Sequence, residues 1–439
     1  MDWQLYRFLR LEYVVFAACL GSFVFWAAYW AVHVLAVVYG KAKLHKHHVM
    51  DLEKSSMPGV SIIKPLVGVD SNLASNLATF FHLKYHKYEI LFCVHDEHDS
   101  ALPVVRSLIE KHPQVQTAVF VGGCRVGLNP KVNNMMPAYL AAQYDFILVS
   151  DSGLRMKENA LADMMCAMKS DVAVVTQLPF TCDRHGFAAN LEKVYFGTAH
   201  ARIYLFAHAI GVVCSTGMSS LLRKSVLDEA GGMQAFGRYI AEDYFFAANA
   251  KSRGWKCALS SQPALQNSGD CSVIAFQNRL SRWARLRIAM LPCTAFLEPF
   301  QECVVLGIIA SLATNNLFEW NPVVFFGAHT LTWLLFDYVL LNIIQDSCLT
   351  CGKLDLLVAW FYRELTAPFV FLRAILNQDI HWRTATFRLN WGGVAEMFFV
   401  TELCDLLWHL TLQLPGCLFC ASNVITVHTW IRRRVSTVQ

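Results

Sequence analysis

The sequence predicts an α/β protein: a mixed, mostly parallel sheet with helices on both faces, joined to transmembrane or interfacial α-helices at both ends. Three observations predict it. Between residues 57 and 300, short apolar runs alternate with longer helical patterns, as in βαβ units of a parallel sheet. The chain of 439 residues is 55% hydrophobic and only 16% charged, which is too apolar for a purely soluble protein. Long uncharged segments flank the alternating region on both sides.

The first of these segments is residues 13–40, which contain no Lys, Arg, Asp or Glu over 28 residues. A spanning helix needs about 20 residues, and the apolar core of a cleaved signal peptide has only about 7–15. We therefore expect a transmembrane signal anchor, preceded by a short lumenal segment at 1–12 and followed by a basic linker at 41–56. Two Lys or Arg residues precede the anchor and four follow it. The positive-inside tendency then places the downstream chain in the cytosol.

The central region, residues 57–300, has 244 residues, enough for one domain with its own core. We expect strands at 60–63, 89–94, 116–121, 146–149 and 172–176, and helices at 71–82, 101–111, 132–143 and 158–169. In such an open sheet, ligands bind beyond the carboxyl ends of the strands.

Beyond residue 300 the apolar stretches return at 303–318, 322–344 and 354–376. They predict C-terminal transmembrane helices within 301–376, although Asp337, Arg363 and Glu364 lie inside them, and charged groups at membrane depth usually mark function. Residues 377–396 mix arginine with aromatic residues and predict an interfacial segment. Residues 397–439 form an additional apolar tail with a basic end.

Several function classes are disfavoured. The net charge of +4 and the lack of a basic stripe argue against a nucleic-acid partner. The 15 cysteines are scattered, without a disulfide framework. The sequence has neither a G-x-x-x-x-G-K-[ST] loop nor G-x-G-x-x-G spacing, so a diphosphate would have to be held by a metal ion and arginine instead.

Carboxylates follow two of the predicted strands. Asp96 ends the run "EILFCVHD", and Asp151 ends "YDFILVSD". Both would lie at one edge of the sheet, where a nucleotide and a divalent cation could share them. For either residue alone, a helix cap or turn is an equally good interpretation.

A third acidic site is the adjacent pair Glu242 and Asp243 in "YIAEDYFF". Asp243 precedes three aromatic residues and could accept a proton from an alcohol in a semi-apolar site. The alternative is that both carboxylates only complement the first turn of a helix.

The segment "FQNRLSRWARLRIAM", residues 276–290, predicts a helix. Arg279 and Arg282 share a face, and Trp283 can stack beside them. Arginine forks suit phosphate oxygens that gain charge as a diphosphate leaves. The alternative is a helix at the bilayer surface, with Arg285 and Arg287 on lipid headgroups.

Three further residues are weaker candidates. His200 in "GTAHAR" and Cys214 in "CSTGMS" could line the site, but single residues of these types are more often packed in a core. Lys131 in "NPKVNN" could reach a phosphate or simply belong to a helix N-terminus.

The three carboxylates and "RLSRW" occur in the order of the D, D, D, (Q/R)xxRW signature of membrane-bound, inverting GT-A glycosyltransferases. The flanking segments "HLKYHKYEILFCV", "EKVYFGTAHAR", "STGMSSLLRKSVLDEAGG" and "QNSGDCSV" closely resemble glycosyltransferase family 21, the ceramide glucosyltransferases, over residues 5 to 396. The resemblance implies a GT-A fold, a UDP-glucose donor, ceramide in the membrane as acceptor, a β-glucosylceramide product and a divalent cation, Mg²⁺ or Mn²⁺. It also implies a multi-pass Golgi membrane protein with the catalytic domain facing the cytosol.

Carried over position by position, the resemblance implies that Asp96 helps to hold the nucleotide and that Asp151 contributes to the UDP–metal site. It implies that Asp243 is the catalytic base, and that "RLSRW" steadies the diphosphate and the acceptor. "DSG" at Asp151 departs from a D-x-D pair, so a second metal ligand is not identified.

Two alternatives remain open. A processive polysaccharide synthase shares the signature, although those enzymes usually carry Gln where this chain has Arg279. A membrane scaffold or transporter would explain the charged residues in the apolar stretches. A homodimer formed through apolar helices is also open.

Overall fold

The computed structural model describes residues 3–46, 57–269, 271–349, 351–382 and 385–397. The predicted tail at 397–439 lies almost wholly outside these residues, as does most of the predicted linker at 41–56. The helices are α1 (Trp3–Lys43), α2 (Leu73–Ala78), α3 (Ala101–Lys111), α4 (Pro130–Ala141), α5 (Ala160–Ala167), α6 (Phe187–Gly197), α7 (Ala199–Ala209), α8 (Lys224–Glu229), α9 (Glu242–Ser252), α10 (Val273–Met290), α11 (Pro292–Leu297), α12 (Cys303–Phe318), α13 (Pro322–Gln345) and α14 (Lys353–Leu376).

The strands form three sheets. They are β1 (Val60–Leu66), β2 (Tyr88–Val94), β3 (Gln116–Val121), β4 (Phe146–Ser150), β5 (Leu154–Arg155), β6 (Val172–Thr176), β7 (Pro179–Thr181), β8 (Ser219–Arg223), β9 (Lys256–Leu259), β10 (Ala264–Gln266), β11 (Ile380–Trp382), β12 (Ala385–Leu389) and β13 (Ala395–Met397). The main sheet has the order β3-β2-β1-β4-β8-β6-β9, and β5-β10-β7 and β11-β12-β13 form two small sheets. All five predicted strands are present, as β1 to β4 and β6.

The main sheet is mixed, as expected. β1 to β4 pair in parallel, whereas β8 runs antiparallel between β4 and β6. Alternate residues of β1 enter different cores: Ile62 packs in one buried cluster and Ile63 in another. Since successive side chains of a strand point to opposite faces, both faces of the sheet are covered by helices, as the apolar runs predict.

Apolar helices adjoin the α/β domain at both ends. In the described part of the chain, Leu11–Lys43 and Pro322–Gln345 are long and apolar enough to cross a membrane. α12 is apolar but has only 16 residues, and α14 contains Arg363 and Glu364 within its length. By length and composition these helices indicate an association with a membrane.

The charged residues of the apolar stretches form one buried network. Asp337 accepts hydrogen bonds from Arg202 Nη1 at 3.0 Å and Trp360 Nε1 at 2.8 Å, and His33 Nε2 lies 3.2 Å from its carboxylate. Arg363 Nη1 donates to Glu302 Oε2 at 2.8 Å. The network ties α1, α7, α13 and α14 together, which gives these charges a structural role and weakens the transporter alternative.

The predicted interfacial segment, residues 377–396, folds largely as the small sheet β11-β12-β13. Phe387 and Leu389 pack with Ile240 in a buried cluster. Ala395 N donates to Arg238 O at 3.1 Å. The sheet therefore supports the segment that leads into Asp243.

Candidate active site

One cavity of about 780 Å³ extends from the carboxyl edge of β4 to α14. Its walls come from the α/β domain on one side and from α10, the α11–α12 connection and α14 on the other. The predicted site residues on its walls are Lys131, Asp151, His200, Cys214, Glu242, Asp243, Arg279, Arg282 and Trp283.

Asp151 follows β4, where the sequence places it. Its backbone N–H donates to Met218 O at 2.9 Å, and its side chain is 41% exposed. Beneath it lies Lys64, fully buried, whose Nζ donates to Asp151 O at 2.7 Å and lies 3.2 Å from Ser150 Oγ. Burial lowers the pKa of Lys64 to about 7. Lys64 thus holds the strand end from below while the carboxylate faces the cavity.

Lys131 enters the site because of how α4 begins. Asn129 caps the helix through its side-chain oxygen, which accepts from Lys131 N at 2.8 Å, and Pro130 occupies the first turn, a position that suits proline. Lys131 Nζ lies 2.8 Å from Asp151 Oδ1 and 3.1 Å from Glu242 Oε1. Burial lowers the pKa of this ammonium, but the two carboxylates outweigh it and hold the pKa above its ordinary value. The group is a permanent cation.

Glu242 and Asp243, adjacent at the start of α9, have different environments. Glu242 is 4% exposed, and its Oε2 accepts from Asn129 Nδ2 at 2.8 Å while Oε1 faces Lys131. Asp243 is half-buried on the cavity wall. Burial, and then the charge of Glu242, raise the pKa of Asp243 to about 7. Glu242 is therefore an anchor, and Asp243 is the carboxylate able to exchange a proton near neutral pH.

The arginines of α10 lie on the opposite wall. The Ser272 side chain caps this helix by accepting from Ala275 N at 3.1 Å. Arg279 and Arg282 both line the cavity. The Arg279 guanidinium lies 4.6 Å from the centroid of the Trp283 ring. The face of the Trp283 ring therefore stabilises Arg279 by a cation–π contact.

Arg285 and Arg287, which the alternative interpretation places on lipid headgroups, form hydrogen bonds within the protein. Arg285 Nη1 donates to Asp379 O at 2.7 Å. Arg287 Nε donates to Glu298 Oε2 at 2.9 Å, and Arg287 lines the cavity. The Glu298 carboxylate, against the opposing effect of burial, holds the pKa of Arg287 above its ordinary value.

His200 and Cys214 line the cavity but are electrically neutral there. Burial, and then the positive charges of Arg287 and Arg279, lower the pKa of His200 to about 3. Burial, and then the charge of Asp243, raise the pKa of Cys214 to about 12. Near neutral pH the His200 imidazole is therefore uncharged, and the Cys214 thiol keeps its proton and is not a thiolate.

Asp96 lies apart from this group. It follows β2, its side chain is exposed, and its Oδ1 accepts from His98 N at 2.8 Å. It does not line the cavity. Sequence reasoning also missed cavity residues, of which Asp70, Glu298 and Glu302 are charged, and it noted Arg363 without placing it at the site. Asp70 would have been found by the same strand-end rule, because β1 continues to Leu66.

The donor chemistry of the site fits a divalent cation held mainly by a diphosphate. The described residues contain no group of three or more His, Cys, Asp or Glu placed to hold a metal. Mg²⁺ is commonly bound by one or two carboxylates together with substrate phosphates and water. Asp151 supplies one such carboxylate, which is exposed to the cavity and paired with Lys131 only through Oδ1.

Comparison with known proteins identifies the family of the chain. Residues 28–395 match the family described as glycosyl transferase family 21. The chain belongs to glycosyltransferase family 21. Ceramide glucosyltransferase 3 of Caenorhabditis elegans is 48% identical over 386 residues, covering 88% of this chain and 83% of that protein. Ceramide glucosyltransferase 1 of the same organism is 46% identical over 376 residues, covering 85% and 80%. For ceramide glucosyltransferase of Komagataella phaffii the identity is 27%, with coverage of 84% and 91%.

Among solved structures, the mannosyltransferase PcManGT of Pyrobaculum calidifontis has a TM-score of 0.46 and 14% identity, covering 83% of this chain and 98% of that one. The family 21 assignment and the mixed sheet confirm the expected GT-A-type α/β fold with additional membrane helices.

Proposed function

We propose that the chain transfers glucose from UDP-glucose to the primary hydroxyl of ceramide and forms β-glucosylceramide with inversion. The names of the curated relatives support ceramide as acceptor. One observation carries the proposal: Asp243, the α10 arginines and the cavity face of α14 share one cavity. A proton acceptor, a diphosphate clamp and a lipid-facing wall are the three parts that this reaction needs.

In the proposed mechanism, Asp243 takes the proton of the ceramide hydroxyl as its oxygen attacks the anomeric carbon of glucose. The bond from that carbon to the phosphate oxygen breaks on the opposite face, UDP leaves with the bond electrons, and the configuration inverts. A base with a pKa of about 7 is suited to this transfer at neutral pH. Glu242 binds Lys131 and Asn129, whereas Asp243 lines the cavity beside it.

On the donor side, Arg279 and Arg282 bind the diphosphate oxygens, which gain negative charge as UDP leaves. Trp283 holds Arg279 in position. Asp151 would hold a Mg²⁺ or Mn²⁺ ion, which when bound would neutralise diphosphate charge. Asp96 is retained as a predicted nucleotide contact on the exposed loop after β2.

On the acceptor side, α14 separates the cavity from an exposed apolar surface. Its outward stripe includes Leu354, Leu365, Phe369 and Leu376, which are 72%, 57%, 71% and 77% exposed. Such a stripe suits contact with lipid. We further propose the domain limits given above, a multi-pass protein of the Golgi membrane with its catalytic domain in the cytosol, and a homodimer formed through apolar helices.

The test is transfer of labelled glucose from UDP-glucose to ceramide in detergent micelles by wild type and Asp243→Asn. The wild type should be active, and the variant should lose at least about a hundredfold in kcat, since a general base contributes roughly 10²–10⁴-fold. UDP binding by the variant should persist. Asp171→Asn, at an exposed carboxylate, is the matched control and should retain activity. Equal activity of Asp243→Asn and wild type would reject Asp243 as the base, and absence of transfer by wild type that binds UDP would reject ceramide.

A further inference from the structure

We propose that Glu302, positioned by Arg363, accepts a hydrogen bond from the polar head of the lipid acceptor, beside the hydroxyl that reacts. The inference rests on the proposed function, because it requires ceramide in the cavity. It assigns to Glu302 the recognition of the acceptor, separate from the chemical step at Asp243.

Glu302 and Arg363 lie on the wall that is built outside the α/β domain. Both line the cavity that contains Asp243. Their neighbours on that wall include Pro368, Val370 and Phe371, which are apolar and suit hydrocarbon. An ion pair in such a wall costs desolvation free energy. At the cavity surface it also presents a carboxylate, among apolar groups, to a ligand with polar groups.

The side chain of Glu302 does not cap the helix that it precedes. The residue immediately precedes α12, yet its side chain forms no capping hydrogen bond with that helix. It points to α14 instead, where Oε2 accepts from Arg363 Nη1 at 2.8 Å. The side chain is 11% exposed and lines the cavity, and in the described part of the chain its hydrogen bond to Arg363 uses only Oε2. A carboxylate that accepts from a ligand donor forms one of the stronger types of hydrogen bond.

Arg363 holds Glu302 in place because it is itself fixed. Its Nη2 pairs with Glu364 and lies 3.9 Å from Asp337 Oδ2. Asp337 in turn accepts from Arg202 and Trp360. A recognition group supported by a packed, hydrogen-bonded network keeps the geometry that selectivity needs.

The acceptor has the complementary chemistry. Beside its primary hydroxyl, ceramide carries a secondary hydroxyl and an amide N–H, both hydrogen-bond donors. When the head leaves water for a cavity, each unpaired donor costs free energy. Glu302 supplies an acceptor to one of these donors, whereas a long-chain alcohol without them would form no such hydrogen bond.

The experiment compares kcat/KM for ceramide, 3-deoxyceramide and N-methylceramide in mixed micelles, using wild type, Glu302→Gln and Glu302→Met. Wild type should disfavour at least one analogue by roughly tenfold or more, as expected for a hydrogen bond to a charged group. In Glu302→Gln that ratio should fall severalfold, and in Glu302→Met it should approach one, while KM for UDP-glucose stays unchanged. Arg363→Lys should retain more discrimination than Arg363→Met.

Glu158→Gln is the matched control, because it makes the same exchange at an exposed carboxylate that pairs with Lys84 and does not line the cavity. It should leave kcat/KM for all three acceptors, and therefore the ratio, unchanged. UDP binding by each variant confirms folding. If wild type uses ceramide but Glu302→Gln keeps the full discrimination, or if wild type does not discriminate, the inference is wrong and the proposed function stands. If wild type binds UDP but does not use ceramide, the proposed function itself fails.

Discussion

Lys131 Nζ lies 2.8 Å from Asp151 Oδ1, although Lys131 belongs to the first turn of α4 and Asp151 follows β4. Through the same nitrogen Lys131 reaches Glu242, 3.1 Å away, and Gly217 O, 3.0 Å away. The Lys131 ammonium therefore partly neutralises carboxylates from two parts of the fold. Its charge also acts on Asp243, whose pKa it lowers against the larger raising effects of burial and Glu242.

Replacing Lys131 with methionine should shift the acidic limb of the pH–activity profile to higher pH. Without the ammonium, the negative charges of Glu242 and Asp151 act on Asp243 unopposed, so the pKa of Asp243 rises and more of it is protonated at neutral pH. The measurement is kcat/KM between pH 5 and 9. Lys84→Met, at an exposed ion pair with Glu158, should leave the profile unchanged. A Lys131→Met profile that coincides with wild type would contradict the electrostatic role.

The wild-type profile should itself report Asp243. With a pKa of about 7, the base is protonated below that pH, and kcat/KM should fall tenfold for each further unit of pH. His200 does not produce this limb, because its pKa is about 3. An activity that is flat between pH 5 and 7 would show that Asp243 titrates below pH 5 or is not the base.

Asp243→Asn should stabilise the folded protein at alkaline pH. The folded pKa of about 7 exceeds the ordinary 3.8, so between these values the folded state binds more protons than the unfolded state. The free energy of unfolding then falls as pH rises through this window. The Tm of Asp243→Asn should exceed that of wild type at pH 8, with the difference shrinking toward pH 4. A difference that is independent of pH would indicate a packing effect.

Gly217→Ala should impair catalysis more than stability. A Cβ at this position would lie 2.9 Å from Lys131 Nζ and 3.6 Å from the Asp243 carboxyl carbon. The lysine end can move without a shift of the backbone, but it then leaves Asp151. We expect kcat/KM to fall at least about tenfold, for the loss of one or two charged hydrogen bonds, together with a modest fall in Tm. Gly327→Ala is the control, since a Cβ there meets nothing within 4 Å; it should behave as wild type.

Asp163 should matter for stability rather than for chemistry. This carboxylate is 2% exposed and accepts from Ser260 Oγ at 2.5 Å, Ser261 Oγ at 2.6 Å and Ser261 N at 2.8 Å. Asp163→Ala removes the acceptor of the buried Ser261 N–H and leaves the two serine hydroxyls only their longer hydrogen bonds, to Lys46 O and Gln262 O. It should cost about 2–4 kcal/mol of unfolding free energy. Denaturation of detergent-solubilised protein measures it. Asp171→Ala, at an exposed pair with Lys256, should leave Tm unchanged, and similar losses from both substitutions would contradict the hydrogen-bonding explanation.

The strands that were predictable from sequence are those with the strongest local pattern. β2 and β3 coincide with apolar runs that turn signals bound on both sides. β8, "SSLLR", was missed because it has only two apolar residues in a polar segment, and its position between β4 and β6 makes it a strand. Tertiary context decides such elements.

Sequence order located Asp151, Asp243 and the α10 arginines because each occurs in a motif. Glu302 and Arg363 could not be found in that way, since no local pattern links the residue before α12 to the middle of α14. Their pairing depends on how two helices pack. Asp96 shows the reverse: its strand-end position was predicted, but the cavity extends from β4 toward α14 rather than toward β2.

α14 has apolar residues on its outer face and cavity residues on its inner face. This position decides which measure of ceramide concentration sets the rate of this enzyme. UDP-glucose arrives from three-dimensional solution, whereas ceramide would arrive by lateral diffusion in a two-dimensional film. The rate should then follow the mole fraction of ceramide among the surrounding lipids, not its molarity in the tube. Adding inert phospholipid at constant total ceramide should slow the reaction as a competitive inhibitor would, without occupying the cavity.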